Sequence, residues 1–180
     1  MKKRGRIVES SIDIINVDVR KAMEAGAWML AFAGVCIAMD ILAKDHFFNE
    51  IFTKVLPQKK DEEFRHWVEK RLFPEWDKYR KRPGNLKQIY LWALKRWGVA
   101  DEAMREKIYT FRNGMIHSFE PNPFSISHDK SSTGKIVNRC GEKTILYLPD
   151  FLEFEKRSYE KVKKAGIQFT TFRLLETTND

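Results

Sequence analysis

The sequence predicts a mainly α fold, a bundle of about five helices with a small β-hairpin towards its C-terminal end. Three observations predict it. Apolar residues recur at spacings of three and four through most of the first 120 positions, the uncharged stretch 25–39 is rich in alanine, and the pattern becomes extended only after position 133. With 180 residues, 43% hydrophobic and 13% aromatic, the chain has material for one core, which excludes wholesale disorder, collagen and a simple coiled coil. It divides into a helical bundle over 1–124 and an appendage over 125–180, hairpin plus helix, packed on the same domain.

A first helix is expected over 9–24, where Ile12, Ile15, Val19 and Met23 fall on one face. The next, over 27–43, is built from alanines and Gly34, small enough to let a neighbouring backbone approach closely, as the central helix of a bundle requires. Its lone acid, Asp40, reads as a buried polar group that caps or orients a neighbour. Past Pro57, the acids at 61–63 followed by Phe64, Trp67, Val68 and Leu72 predict an amphipathic helix closed by Pro74.

The basic segment 78–82 with Pro83-Gly84 reads as a surface turn. Asn85 is the expected cap of a helix carrying Leu86, Ile89, Tyr90, Ala93 and Trp97, which Gly98 stops. Asp101 is the expected N-cap of the following helix. Met104, Ile108, Phe111 and Met115 form its stripe, and Pro121 and Pro123 end it.

Residues 125–133 are serine-rich and read as an exposed loop. The segments 135–139 and 143–148, separated by Cys140-Gly141-Glu142, predict the hairpin. Asp150 is the expected cap of a charged helix running to about Ala165 and stopped by Gly166. The tail 167–175 has strand-type residues without a period, leaving strand and helix open.

Thirty-three Lys and Arg against 25 Asp and Glu give a net charge of +8, which favours an anionic partner. Two dispersed cysteines, Cys36 and Cys140, exclude a disulfide framework and a four-cysteine zinc site. The basic start 1–6 is followed by Glu9 and Asp13 rather than by an apolar run, so no secretory signal is read. The fifteen uncharged residues before Asp40 are short for a membrane span. These readings place the chain in a soluble, reducing cytoplasm, away from membranes.

Motif exclusions narrow the chemistry further. The Gly134-Lys135 pair is followed by Ile136, not the Ser or Thr of a phosphate loop, and no dinucleotide fingerprint, His-Glu-x-x-His or nucleophile elbow is present. The four histidines, His46, His66, His117 and His128, are too dispersed for a metal site, so neither metal nor cofactor is expected.

What remains is Phe-Arg-Asn-Gly-Met-Ile-His-Ser-Phe over 111–119. Arg112 offers a permanently charged planar fork for a phosphate, and His117 is the side-chain type that exchanges a proton near neutral pH. Attack of an RNA 2′-hydroxyl on its own phosphate needs a base, an acid and positive charge where the pentavalent state gains negative charge. One Arg and one His supply the minimum, and two of each supply both proton transfers. Arg112 and His117 are separated by about 140° around an ideal helix, whereas Asn113 and His117 share a face. Convergence on one phosphate is therefore easier if a second protomer brings the same helix across a two-fold axis. The plainer roles are a surface salt bridge or C-terminal helix charge for Arg112, and a cap on the last carbonyls for His117.

Arg112-Asn113 followed by His117 resembles the R-x4-6-H motif, with a polar residue directly after the arginine, of the HEPN superfamily. The resemblance extends over about 7–119, through the Ala-rich helix ending in Asp40-Ile41-Leu42, the 64–74 helix and the motif helix. It implies a small, often dimeric α bundle acting as a metal-independent endoribonuclease in toxin or antiphage defence, with an antitoxin or inhibitor protein as a further partner. Arg112 and His117 would be its catalytic pair and Asn113 the auxiliary polar residue. The superfamily also holds non-catalytic members, so the alternative is a dimeric RNA- or protein-binding module.

Two positions depart from the pattern. Gly114 lies inside the motif and weakens the helix by about 1 kcal/mol relative to alanine, unless close packing against a partner helix needs it. Phe119 stands where toxins paired with minimal nucleotidyltransferases carry a tyrosine. For RNA contacts outside the motif, Lys78, Arg80, Lys81 and Arg82 lie beside Trp76 and Tyr79, combining phosphate-binding charge with stacking surface.

Overall fold

The computed structural model describes residues 9–55, 83–167, 169 and 171–172. The expected helix over 61–74, the basic residues Lys78, Arg80, Lys81 and Arg82, the start 1–6 and the tail beyond 172 lie outside the described residues. Within them the fold is mainly helical with a small three-stranded sheet, as the periodicity predicts.

Helix α1 spans Ser11–Glu24 and α2 spans Trp28–Val55. Ser10 rather than Glu9 precedes the first turn. Its Oγ accepts from the Asp13 N–H at 3.1 Å, satisfying one of the donors a helix start leaves free. Gly26, at φ +72°, turns the chain into α2. That helix runs on past the expected end at Ala43 and, at 28 residues, is about 42 Å long. Ala31, Phe32, Val35, Cys36, Ala38, Met39, Leu42 and Ala43 are all buried, and α2 packs against every other helix described. Small residues make this possible: a Cβ on Gly34 would lie 2.5 Å from Val19 Cγ2 of α1.

Helix α3 covers Pro83–Trp97 and α4 covers Glu102–His117. The start of α3 corrects the expectation for Asn85. Pro83 already occupies the first helical position, where its fixed φ is an advantage and its missing N–H is no loss. Gly98, at φ +111°, stops this helix as expected. Asp101 caps α4, accepting from the Ala103 N–H at 3.0 Å. The end of α4 comes before the prolines: Ser118 is its C-cap, and Phe119, at φ +56°, reverses the chain.

The segment read as an exposed loop contains a strand. β1 is Glu9–Ser10, β2 Ser125–Ser127, β3 Val137–Cys140, β4 Lys143–Tyr147 and β5 Thr171–Phe172. β3 and β4 form the expected hairpin about Gly141, while β2 adds parallel to the other side of β4, giving the order β2–β4–β3. Beyond β2, Ser131 is buried and its N–H donates to Asp150 Oδ2 at 2.7 Å. Asp150 is therefore not the cap of helix α5, Leu148–Lys164, which follows β4 directly from Tyr147. Within the tail, Thr171–Phe172 is strand, paired antiparallel with β1.

The core is one cluster. Phe111 of α4 meets Phe32 of α2, Phe124 before β2 and Phe151 of α5 edge-on, with centroids 5.6, 5.7 and 5.9 Å apart. This packing fixes the axial position and rotation of α4, and so decides which way residues 112–117 point. No helix among the described residues is long and apolar enough to cross a membrane.

Candidate functional site

The motif occupies the last two turns of α4, and its members face opposite ways. Arg112 follows Phe111 into the interior and is 8% exposed. Its Nη2 lies 2.8 Å from Asp40 Oδ1 of α2, and its Nη1 donates to Asn113 Oδ1 at 2.7 Å. The guanidinium also lies 5.9 Å from the Tyr109 ring centroid, and its Nε is buried with no hydrogen-bond partner. The second oxygen of Asp40 accepts from Lys44 Nζ at 2.7 Å. Two cations thus share one carboxylate, and the cluster keeps a net positive charge.

The reading of Asp40 as a group that orients a neighbour is what the geometry realises: one of its oxygens holds the arginine. Lys44 and Tyr109 were not anticipated. An acid and a lysine four apart on one helix is the signal for Lys44. The arginine is neither a surface salt bridge nor a terminal helix charge. It joins α4 to α2 in the interior.

His117 is the last residue of α4 and is exposed, and among the described residues its imidazole makes no hydrogen bond or ion pair. It does not cap the last carbonyls. The Gly114 carbonyl accepts instead from the backbone N–H groups of Ser118 at 2.9 Å and Glu120 at 3.1 Å. This reversal accounts for Gly114, whose missing Cβ leaves room for the Glu120 carbonyl oxygen of its own chain.

Within one protomer, then, Arg112 and Asn113 are hydrogen-bonded to each other, while His117 is exposed and bonded to neither of them. Lys78, Arg80, Lys81 and Arg82 lie outside the described residues.

The other ionisable side chains near the arginine are unsuited to proton transfer. Burial pushes the Cys36 thiol far up, with Arg112 lowering it and Asp40 raising it by smaller amounts. Burial also pushes the Tyr90 phenol well above its ordinary range, and its hydroxyl is directed at Met39 Sδ, 3.8 Å away. Both stay protonated at neutral pH. Among the described residues no three His, Cys, Asp or Glu are grouped to hold a metal ion.

An apolar groove of about 480 Å³ runs beside the motif, lined by Ile15, Val19, Leu30, Ile37, Ile116 and Phe119. Leu30 is 59% exposed, Ile37 42% and Phe119 53%. No protein-family model matches this chain, and neither a curated protein nor a solved structure matches it.

Proposed function

We propose that this chain is a metal-independent endoribonuclease of HEPN type that works as a homodimer, in a toxin or antiphage setting. The observation that carries the reading is a fixed cation and an unengaged imidazole on the last two turns of one helix, beside an open apolar groove.

His117 takes the proton of an RNA 2′-hydroxyl, whose oxygen then forms a bond to the adjacent phosphorus. The P–O5′ bond breaks, and the departing oxygen takes a proton from the second His117 of the dimer. The products are a 2′,3′-cyclic phosphate and a 5′-hydroxyl. Arg112, held by Asp40 and Asn113, supplies positive potential towards the phosphate as it gains charge.

The groove supports the dimer. Phe119 combines a left-handed backbone, which strains a residue with a Cβ, with a half-exposed side chain on the rim of the groove. A self-complementary contact there joins the C-terminal ends of both α4 helices in one interface.

A second reading rests on the burial of Arg112. An arginine with 8% exposure and two polar partners serves the bundle itself, which suits a binding module that holds RNA or a protein and cuts nothing. The two readings separate in one experiment. Wild type and His117→Ala are incubated with mixed RNA in EDTA, and the termini of any products are identified. Cleavage to cyclic phosphate ends by wild type alone supports the enzyme. Salt-dependent RNA retention without turnover by either protein removes it and leaves the module.

A further inference from the structure

Glu155 lies on α5 with none of its surface exposed, facing Asn16 of α1. Asn16 Nδ2 donates to Glu155 Oε1 at 3.4 Å. The other two oxygens of the pair, Asn16 Oδ1 and Glu155 Oε2, are both buried and without a hydrogen-bond partner. An unmet buried acceptor is costly, and this acid–amide pair, with one such oxygen on each member, is short of one hydrogen. A neutral carboxylic acid carries that hydrogen: its O–H donates, and the amide oxygen accepts.

We propose that Glu155 is held in the fold as the neutral acid, closing a two-bond acid–amide pair with Asn16 that latches α1 to α5, and that loss of this proton opens the latch.

The surroundings support the neutral form. Burial pushes the Glu155 carboxyl up from its ordinary 4.5 to about 7. The Asn16 hydrogen bond and the charge of Lys156 on α5 lower it, and the charge of Asp13 on α1 raises it. Asp13 is itself engaged, accepting from the Tyr159 hydroxyl at 3.0 Å and from Ser10 Oγ at 2.7 Å. Arg20 on α1 donates its Nε to the Asn16 backbone carbonyl at 3.3 Å. Because the folded state binds this proton more tightly than the unfolded chain, the stability it contributes is complete below the ordinary 4.5 and is lost as pH rises through about 7. The latch therefore responds to pH across neutrality, and it joins the first helix to the helix that follows the sheet.

The test is a titration of the Glu155 carboxyl carbon by NMR in the wild-type chain, with thermal melts of wild type and Glu155→Gln between about pH 5 and about pH 8. The Gln amide donates at every pH where the acid does so only when protonated. Expected are a carboxyl midpoint near neutrality, and a melting temperature that falls with pH in wild type and stays level in Glu155→Gln. A midpoint near 4.5 in the folded protein, or equal slopes in the two melts, overturns the proposal. Should the variant fail to fold, the wild-type titration decides alone.

Discussion

The Arg112 guanidinium and the Asp40 carboxylate meet at 2.8 Å in the interior, tying the motif helix α4 to the central helix α2. Removing one member of a buried ion pair leaves the other charge without compensation, at a cost of about 3–5 kcal/mol. Asp40→Ala and Arg112→Ala are each expected to lower stability by that order, as read by urea unfolding. Replacing both members by apolar residues, Asp40→Leu with Arg112→Met, recovers most of the loss, because the double variant strands no buried charge and the Lys44 ammonium, released from Asp40, is partly exposed to solvent. A double variant as unstable as the sum of the singles would show that the two residues act separately.

Gly114 sets two effects of opposite sign against each other. On propensity alone, Gly114→Ala gains about 1 kcal/mol in the interior of a helix. The new Cβ, however, would run into the Glu120 carbonyl oxygen, a backbone atom that cannot swing aside. The clash dominates, and overpacking of this kind costs about 1–3 kcal/mol. The expected outcome is a lower melting temperature for Gly114→Ala. A higher one would mean that the reversal after α4 has room to give.

How much of this was legible in the sequence depended on whether the cause was local. Asp101 was readable as a cap because its partner, the Ala103 N–H, is two residues away. Asp150 has the same appearance, an acid at the edge of an apolar run, but its carboxylate bonds the Ser131 N–H instead. Likewise, β2 is hidden in a serine-rich stretch because its ladder comes from β4, and strand propensity contributes little to a three-residue edge. At the candidate site, the divergence of Arg112 and His117 follows from helix periodicity alone. The direction in which each points does not, because Phe111 and its three aromatic neighbours set the rotation of α4. The role of Asp40 was legible in kind, since a lone acid in the apolar segment 27–43 needs a partner. Its partner's identity required the fold.

Asp150 supplies a third prediction. Its carboxylate is buried and holds the Ser131 N–H at 2.7 Å, and Ser131 Oγ in turn accepts from Asn138 Nδ2 at 2.7 Å. The loop between β2 and β3 is thereby pinned to the first turn of α5. Asp150→Ala leaves a buried N–H unmet and should cost about 1–3 kcal/mol. Hydrogen exchange should quicken at Ser131 and Thr133 and remain slow at the Phe111 amide in the core. Unchanged exchange at Ser131 would show that the loop is held by other contacts.

Phe119 gives the last prediction, in which stability and assembly move in opposite directions. At φ +56° a residue with a Cβ is strained by about 1–2 kcal/mol relative to glycine, and Phe119 is 53% exposed. Phe119→Gly relieves the strain and should raise the stability of the isolated protomer by about 1 kcal/mol. It also removes the most prominent ring on the groove lined by Leu30, Ile37 and Ile116. Sedimentation at several concentrations should then show weaker self-association than in wild type, while unfolding of the dilute protein occurs at higher denaturant. A variant that is stabilised yet associates as wild type does would remove the groove from the dimer interface. A variant that loses stability would mean that the ring makes contacts within its own chain that outweigh the strain.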